Sequence, residues 1–120
     1  MMQDGINIKQ RDIVLVPIPF SSLIENKKRP ALIISNSKFH EGNEDFICCA
    51  LTSNPQENTY CIEVNDSDIE EGNLDFKSKI KATKIFSLKK TLIQRTIARL
   101  NVEKTQKVLF KLNSYFKIDQ

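Results

Sequence analysis

Apolar residues in this chain fall into short runs along most of its length and into a helical spacing only at the end. DIVLVPIPF (Asp12–Phe20) is β-branched and apolar, broken by Pro17 and Pro19. Proline offers no ladder donor, so it is tolerated at an edge or a strand end. SSLIENKK (Ser21–Lys28) is polar and predicts a loop. KRPALIISN (Lys28–Asn36) opens on Lys28, Arg29 and Pro30 and predicts a buried strand over Ala31–Ser35. FICCALT (Phe46–Thr52) predicts another, stopped by the turn signal Ser53-Asn54-Pro55. TYCIEV (Thr59–Val64) alternates and fits a half-buried strand. Asn65–Asn73 predicts a loop closed by Gly72-Asn73. Ser78–Leu88 alternates lysine with apolar or small residues, a strand with one wet, cationic face. Leu92–Leu100 predicts a further strand.

The period then changes. Val102, Val108, Leu109, Leu112, Tyr115 and Phe116 share one helical stripe. Asn101 suits the N-cap, where its side-chain oxygen accepts an orphan amide. Glu103 suits the positive end of the helix dipole. Short antiparallel strands and one closing helix predict a mainly β fold, a small barrel-like sheet with a C-terminal helix. No repeat, low-complexity tract or linker interrupts it, so residues 1–120 are expected to form a single domain.

Composition narrows the class. Hydrophobic content of 40% and charged content of 28% are ordinary for a globular chain. No apolar run approaches a membrane span. MMQDGINIKQRD carries no apolar signal core, and a cytoplasmic location is expected. The net charge of +3 permits a nucleic-acid partner without demanding one. Its distribution says more. Lys77–Arg99 is cationic without an Asp or Glu, and Asp66–Asp75 is its acidic counterweight. The cationic run is either a solvated face or part of a phosphate-binding surface.

Several chemistries are disfavoured. The chain has three cysteines and one histidine, with no C-x-x-C. Cys48 and Cys49 are adjacent and should point to opposite faces of a strand. No metal-ligand spacing exists, and no metal or cofactor is expected. His40 lies in the polar stretch FHEGNED and reads as a surface residue. A nucleophilic triad and a glycine-rich phosphate loop are both lacking.

What remains is Arg29 and the polar strand end Thr52-Ser53-Asn54. If the strands at Ala31 and Phe46 pair antiparallel, the start of one lies beside the end of the other. Arg29 and Thr52 then share one end of the sheet. A guanidinium fork and a hydroxyl can hold a phosphodiester. From spacing alone, a strand-end charge and a turn-capping threonine explain the same residues.

The order DIVLVPIPFSS, KKRPALIIS, ICCALTSNP and EEGNLDFKSKIKATKIFSLKKTLI, closed by an amphipathic helix, resembles the MazF/PemK family of toxin endoribonucleases. The likeness runs from about Asp12 to Phe116, and RPALIIS and LTSNP are its most specific parts. It implies an SH3-like, CcdB/PemK-type β-barrel, a homodimer, and metal-independent, sequence-specific cleavage of single-stranded RNA. The family's RP arginine falls on Arg29 and its TS threonine on Thr52, the implied catalytic pair. Lys28, Ser53, Asn54, Lys81 and Lys84 are the implied RNA-binding residues. A cognate antitoxin is the implied protein partner, covering the RNA groove along the loops Ser21–Lys28 and Asn54–Asn58 and the cationic segment. DNA is expected only through the antitoxin complex, and a membrane not at all.

Three departures from the family pattern stand out. Arg11 replaces a usual glycine. Thr83 stands where some members have a carboxylate, and Phe86 where some have an arginine. The proton-transfer group is therefore open, with His40 and Glu25 as candidates. The related CcdB-like proteins bind DNA gyrase instead, which is the alternative function. A non-catalytic RNA- or protein-binding barrel is a third.

Overall fold

A computed structural model of the chain describes residues 7–18 and 27–120. Seven strands are present among the described residues: β1 (Asp12–Pro17), β2 (Lys28–Ile33), β3 (Asp45–Thr52), β4 (Cys61–Val64), β5 (Ile69–Gly72), β6 (Ser78–Lys89) and β7 (Arg95–Leu100). Helix α1 (Ser37–His40) follows β2, and α2 (Val102–Ser114) closes the chain. The strands form one curled sheet in the order β4-β6-β3-β2-β1-β7-β5, with every neighbouring pair antiparallel. This is the mainly β fold with a C-terminal helix that the apolar pattern predicts.

The apolar runs are continuous because the central strands are covered on both faces. Successive side chains alternate between two cores. Ile13, Leu32, Cys49 and Leu51 join Val64, Ile80 and Leu100 beneath Val108 and Leu112 of α2. Val14, Val16, Ala31, Ile33, Cys48 and Phe46 join the other core, against Phe86 and Leu88. Adjacent Cys48 and Cys49 thus face opposite ways, as expected. Register shifts between Ile13 and Val14 and between Cys49 and Leu51 bend the sheet.

Several expectations need correction. Asn65–Asn73 is more than a loop: a 3₁₀ turn (Asp66–Asp68) leads into β5, which pairs with β7 from Ile69↔Leu100 to Gly72↔Ala98. Its acidic side chains meet distant cations, Glu70 with Arg11 at 3.2 Å and Glu71 with Arg99 at 3.3 Å. The strand expected over Leu92–Leu100 begins only at Arg95, after a 3₁₀ turn at Lys90–Leu92. The strand after Arg29 begins earlier, so Arg29 and Pro30 lie within it. Pro17 does end β1, but β1 is an interior strand. On α2, Val108 and Leu112 are buried, whereas Val102 is exposed, and so is Phe116 just past the helix end. Asn101 caps the helix as expected, its Oδ1 accepting from Lys104 N at 2.8 Å.

His40 is not a surface residue. It ends α1 and is buried, with Nε2 2.6 Å from Ser35 Oγ. Lys90 Nζ donates to its carbonyl oxygen at 2.7 Å and helps cover it. Pro19, Glu25 and most of the loop Ser21–Lys28 lie outside the described residues.

Candidate active site

β2 and β3 pair through Ala31↔Ala50, Leu32↔Cys49 and Ile33↔Cys48. That register puts the start of β2 beside the end of β3. Arg29, Thr52, Ser53 and Asn54 line one cleft of about 400 Å³, together with Leu15, Pro30 and Leu51 of the neighbouring strands. The other wall is the connection between β5 and β6, contributing Leu74, Asp75 and Phe76. The sheet therefore brings together four of the residues singled out in the sequence.

The polar groups here are held by short local bonds. Thr52 Oγ1 accepts from Asn54 N at 3.1 Å, and Asn54 Oδ1 accepts from Gln56 N at 2.9 Å. Thr52 is thus the turn-capping threonine that spacing suggests. Capping uses an acceptor lone pair of the hydroxyl, so its proton stays available to an anionic oxygen. The Asn54 amide is likewise oriented with its NH₂ as donor. Arg29, Thr52 and Asn54 thus bring a guanidinium, a hydroxyl and an amide to the lining of one cleft, a set suited to phosphate oxygens.

The opposite wall is clamped at both ends. At its start, Asn73 N donates to Ile97 O at 3.1 Å. Gly72 takes φ +80°, and a Cβ there would meet Ile97 O at 2.2 Å. At its end, buried Ser78 donates from Oγ to Phe76 O at 2.9 Å. Asp75 is the carboxylate of the cleft wall, and sequence reasoning missed it. Nothing local marks it; only the β5–β7 pairing carries it into the lining of the cleft that holds Arg29.

The lysines are placed differently. Lys28 is exposed at the start of β2, one residue before Arg29. Lys81 Nζ meets Glu57 Oε1 at 3.1 Å, and neighbouring Lys79 donates to Glu57 O at 2.9 Å. Those contacts fasten the 54–58 loop to β6. Lys84 is exposed farther along β6. None of Lys28, Lys81 and Lys84 lines the cleft, whereas Lys77 lines two cavities that share residues with it.

His40 lines a separate cavity with Ile8, Lys9, Gln10 and Lys90, and is not in this wall. Burial, and then Lys90 nearby, hold its pKa below the usual 6.5. The Cys48 and Cys49 thiols are pushed up to about 12, first by burial. They are not thiolate nucleophiles at neutral pH. Among the described residues, no group of three or more His, Cys, Asp or Glu side chains is arranged to hold a metal ion. No helix there is long and apolar enough to cross a membrane.

The sequence profile of the PemK-like, MazF-like toxins of type II toxin–antitoxin systems matches residues 9–116. The chain belongs to that toxin family. Solved structures of MazF type share its fold. An endoribonuclease bound to its cognate antitoxin, from a Mycobacterial species, superposes with a TM-score of 0.72 at 15% identity, over 94% of this chain and 98% of the other. A MazE–MazF complex from Deinococcus radiodurans gives 0.73 at 17% identity, over 93% and 98%. The toxin MazF-mt6 of Mycobacterium tuberculosis gives 0.70 at 15%, over 92% and 100%. No curated protein matches the sequence.

For a MazF-like toxin, the departures now have physical readings. Arg11 sits at φ +83°, a conformation that favours glycine. It is held there by Nη1 donating to Leu100 O at 2.9 Å and by Glu70. Phe86, in the place of a family arginine, packs against the second core. Thr83 is exposed on β6 and does not line the cleft.

Proposed function

We propose that this MazF-like toxin is a metal-independent, sequence-specific endoribonuclease that cuts single-stranded RNA at the Arg29–Thr52 cleft. The observation that carries this reading is the meeting of the two side chains in one cleft, at the adjoining ends of two interior strands. The RNA 2′-hydroxyl attacks its own phosphorus, and the P–O5′ bond breaks. A 2′,3′-cyclic phosphate and a 5′-hydroxyl result. Arg29 faces the non-bridging oxygens and stabilises the charge that grows on them. Thr52 donates to one of them, and the Asn54 amide to another. Such fixed donors supply the largest part of catalysis in many enzymes.

Asp75 takes the proton of the 2′-hydroxyl, the task that Thr83 cannot perform. A guanidinium remains charged at any working pH, so Arg29 acts as an electrostatic group and not as the acid. Water supplies the proton to O5′.

The protein works in the cytoplasm as a homodimer. Exposed Val102, Phe110, Phe116 and Ile118 support an apolar contact on and beyond α2. A cognate antitoxin inhibits by laying a disordered acidic or apolar segment over the cleft, and DNA is met only through that complex.

The test is cleavage of a long single-stranded RNA in chelator by wild type, Arg29→Ala, Thr52→Ala and Asp75→Asn, each checked for folding by circular dichroism. Cyclic phosphate ends from wild type, and loss of about a hundredfold or more in rate for Arg29→Ala, support the reading. An intact wild type that does not cut, or variants that cut equally well, reject it in favour of gyrase or other binding.

A further inference from the structure

Beside the cleavage cleft lies a second cavity, of about 420 Å³. Val64, Ile69 and Leu74 give it apolar walls, and Asn65, Asp66, Asn73 and Lys77 give it polar ones. Leu74, Asp75 and Phe76 line both spaces. Phe76 is 73% exposed, unusual for a phenylalanine on a clamped connection. Its carbonyl is bound by buried Ser78, and the connection starts at a glycine pressed against β7. The exposed ring is therefore presented from a fixed backbone.

We propose that Phe76 is a base-stacking platform, and that the adjoining cavity reads the base next to the scissile phosphate. This rests on the RNA-cleavage reading above and deepens it. An aromatic face binds any base, because every base has a π surface. Single-stranded RNA is read by splaying out a base, stacking it on such a ring and bonding its edge. Here the edge would meet the Asp66 carboxylate, the Asn65 and Asn73 amides and the Lys77 ammonium. A carboxylate only accepts, so it selects a base with an exocyclic amino group. Cytosine, adenine and guanine carry one. Uracil presents a carbonyl on each side of its imino group and is disfavoured. Lys77 donates to a ring carbonyl or ring nitrogen of the same base.

The chain contains no tryptophan, so Phe76→Trp creates a single fluorescent reporter at the platform. The first measurement titrates Phe76→Trp with short single-stranded RNA of mixed sequence, fully 2′-O-methylated so that it cannot be cut. Quenching by this RNA, weaker for an all-uridine oligomer of the same backbone, is expected. The second sequences the ends that wild type, Phe76→Ala and Asp66→Asn produce from a random RNA pool. Wild-type ends should show an amino-bearing base at one fixed position beside the cut. Phe76→Ala should lose about tenfold to a hundredfold in kcat/KM, still leaving cyclic phosphate ends. Asp66→Asn should weaken the preference at that position alone.

Wild-type cutting with no effect of Phe76→Ala overturns the stacking proposal, uracil at that position overturns the base reading by the cavity, and either result leaves the cleavage reading intact. Quenching without any wild-type cutting supports the platform and rejects cleavage. RNA that binds by anisotropy without quenching the indole emission of the Phe76→Trp variant overturns the platform.

Discussion

Gly72 and Gly42 both adopt left-handed backbone, with φ of +80° and +66°, but their surroundings differ. Alanine at either position meets the same intrinsic penalty, about 1 kcal/mol or somewhat more. At Gly42 a Cβ has nothing within 4 Å, so the backbone term is the whole effect. At Gly72 it would sit 2.2 Å from Ile97 O and 2.7 Å from Ala98 Cα. Both neighbours are backbone of β7, and neither can turn aside. Relief requires β5 to move off β7, which strains the Gly72↔Ala98 pairing and the bond from Asn73 N to Ile97 O. Overpacking of this kind adds about 1–3 kcal/mol.

Gly72→Ala should thus cost about 3 kcal/mol in all, a large part of the roughly 5–15 kcal/mol that holds such a domain together. With a urea slope of about 1–3 kcal/mol per molar, the midpoint should fall by about 1.5 M. Gly42→Ala should move it by about 0.5 M. Urea unfolding followed by far-UV circular dichroism reads both. Equal midpoints for the two variants would refute the steric argument, because only the backbone term would then be acting.

Other consequences can be checked in the same protein. Cys48 and Cys49, buried and with thiols pushed up to about 12, should resist a thiol reagent at pH 8, while half-buried Cys61 reacts. Mass spectrometry should find one label on the native protein and three after unfolding, and early double labelling would contradict the buried placement. His40 is the only histidine, and its pKa is lowered by burial and by Lys90. The unfolded chain binds that proton near pH 6.5 while the folded chain resists it. Its contribution is therefore full above pH 6.5 and is lost as pH falls below that value toward the folded pKa. Urea midpoints between pH 7.5 and 5.5 should decline, and should decline less in His40→Gln; identical slopes would count against it. Asp12 is 2% exposed and accepts from Arg99 Nε and Lys9 N, each at 3.0 Å. Asp12→Ala should cost about 2–3 kcal/mol by leaving both donors without that acceptor, and a thermal or urea shift under about 1 kcal/mol would oppose this.

Much of the fold is legible in the sequence because the central strands are wrapped on both faces. ALII (Ala31–Ile34) and FICCAL (Phe46–Leu51) are uninterrupted apolar runs, and only interior strands need such runs. The Arg29–Thr52 juxtaposition follows from antiparallel pairing alone. What escapes is the structure whose partners are remote in sequence. β5 reads as an acidic loop because Glu70 and Glu71 are answered by Arg11 and Arg99, far away in sequence. His40 has Glu41 and Gly42 beside it, yet it is buried by Lys90 and by residues before β1. The cationic run Lys77–Arg99 reads either as a solvated face or as part of a phosphate-binding surface. Lys79, Lys81, Lys90 and Arg99 instead bind groups of the protein itself.

That redistribution of charge bears on how the cleft divides its work. Arg29 and Thr52 sit on interior strands, where displacement would disturb both cores. A reacting phosphate needs such rigidity, since errors near 1 Å cost about a hundredfold in rate. Phe76, Asp75 and Lys77 sit on a connection, where substitution does not alter the cores. The strand groups that hold the phosphate are therefore mechanically separable from the base-reading groups, while Asp75 is the one catalytic group carried on the connection that Gly72 anchors. A change at Phe76 or Lys77 should alter which RNA is cut while the strand residues keep their geometry. A change at Gly72 shifts the whole connection against β7, and so displaces Asp75 from Arg29 and Phe76 from the cleft together. Gly72→Ala, assayed where it is still folded, should therefore lose rate and base preference at once, whereas Asp66→Asn loses preference alone. If Gly72→Ala kept its full base preference while folded, the clamp would not be what aims the ring.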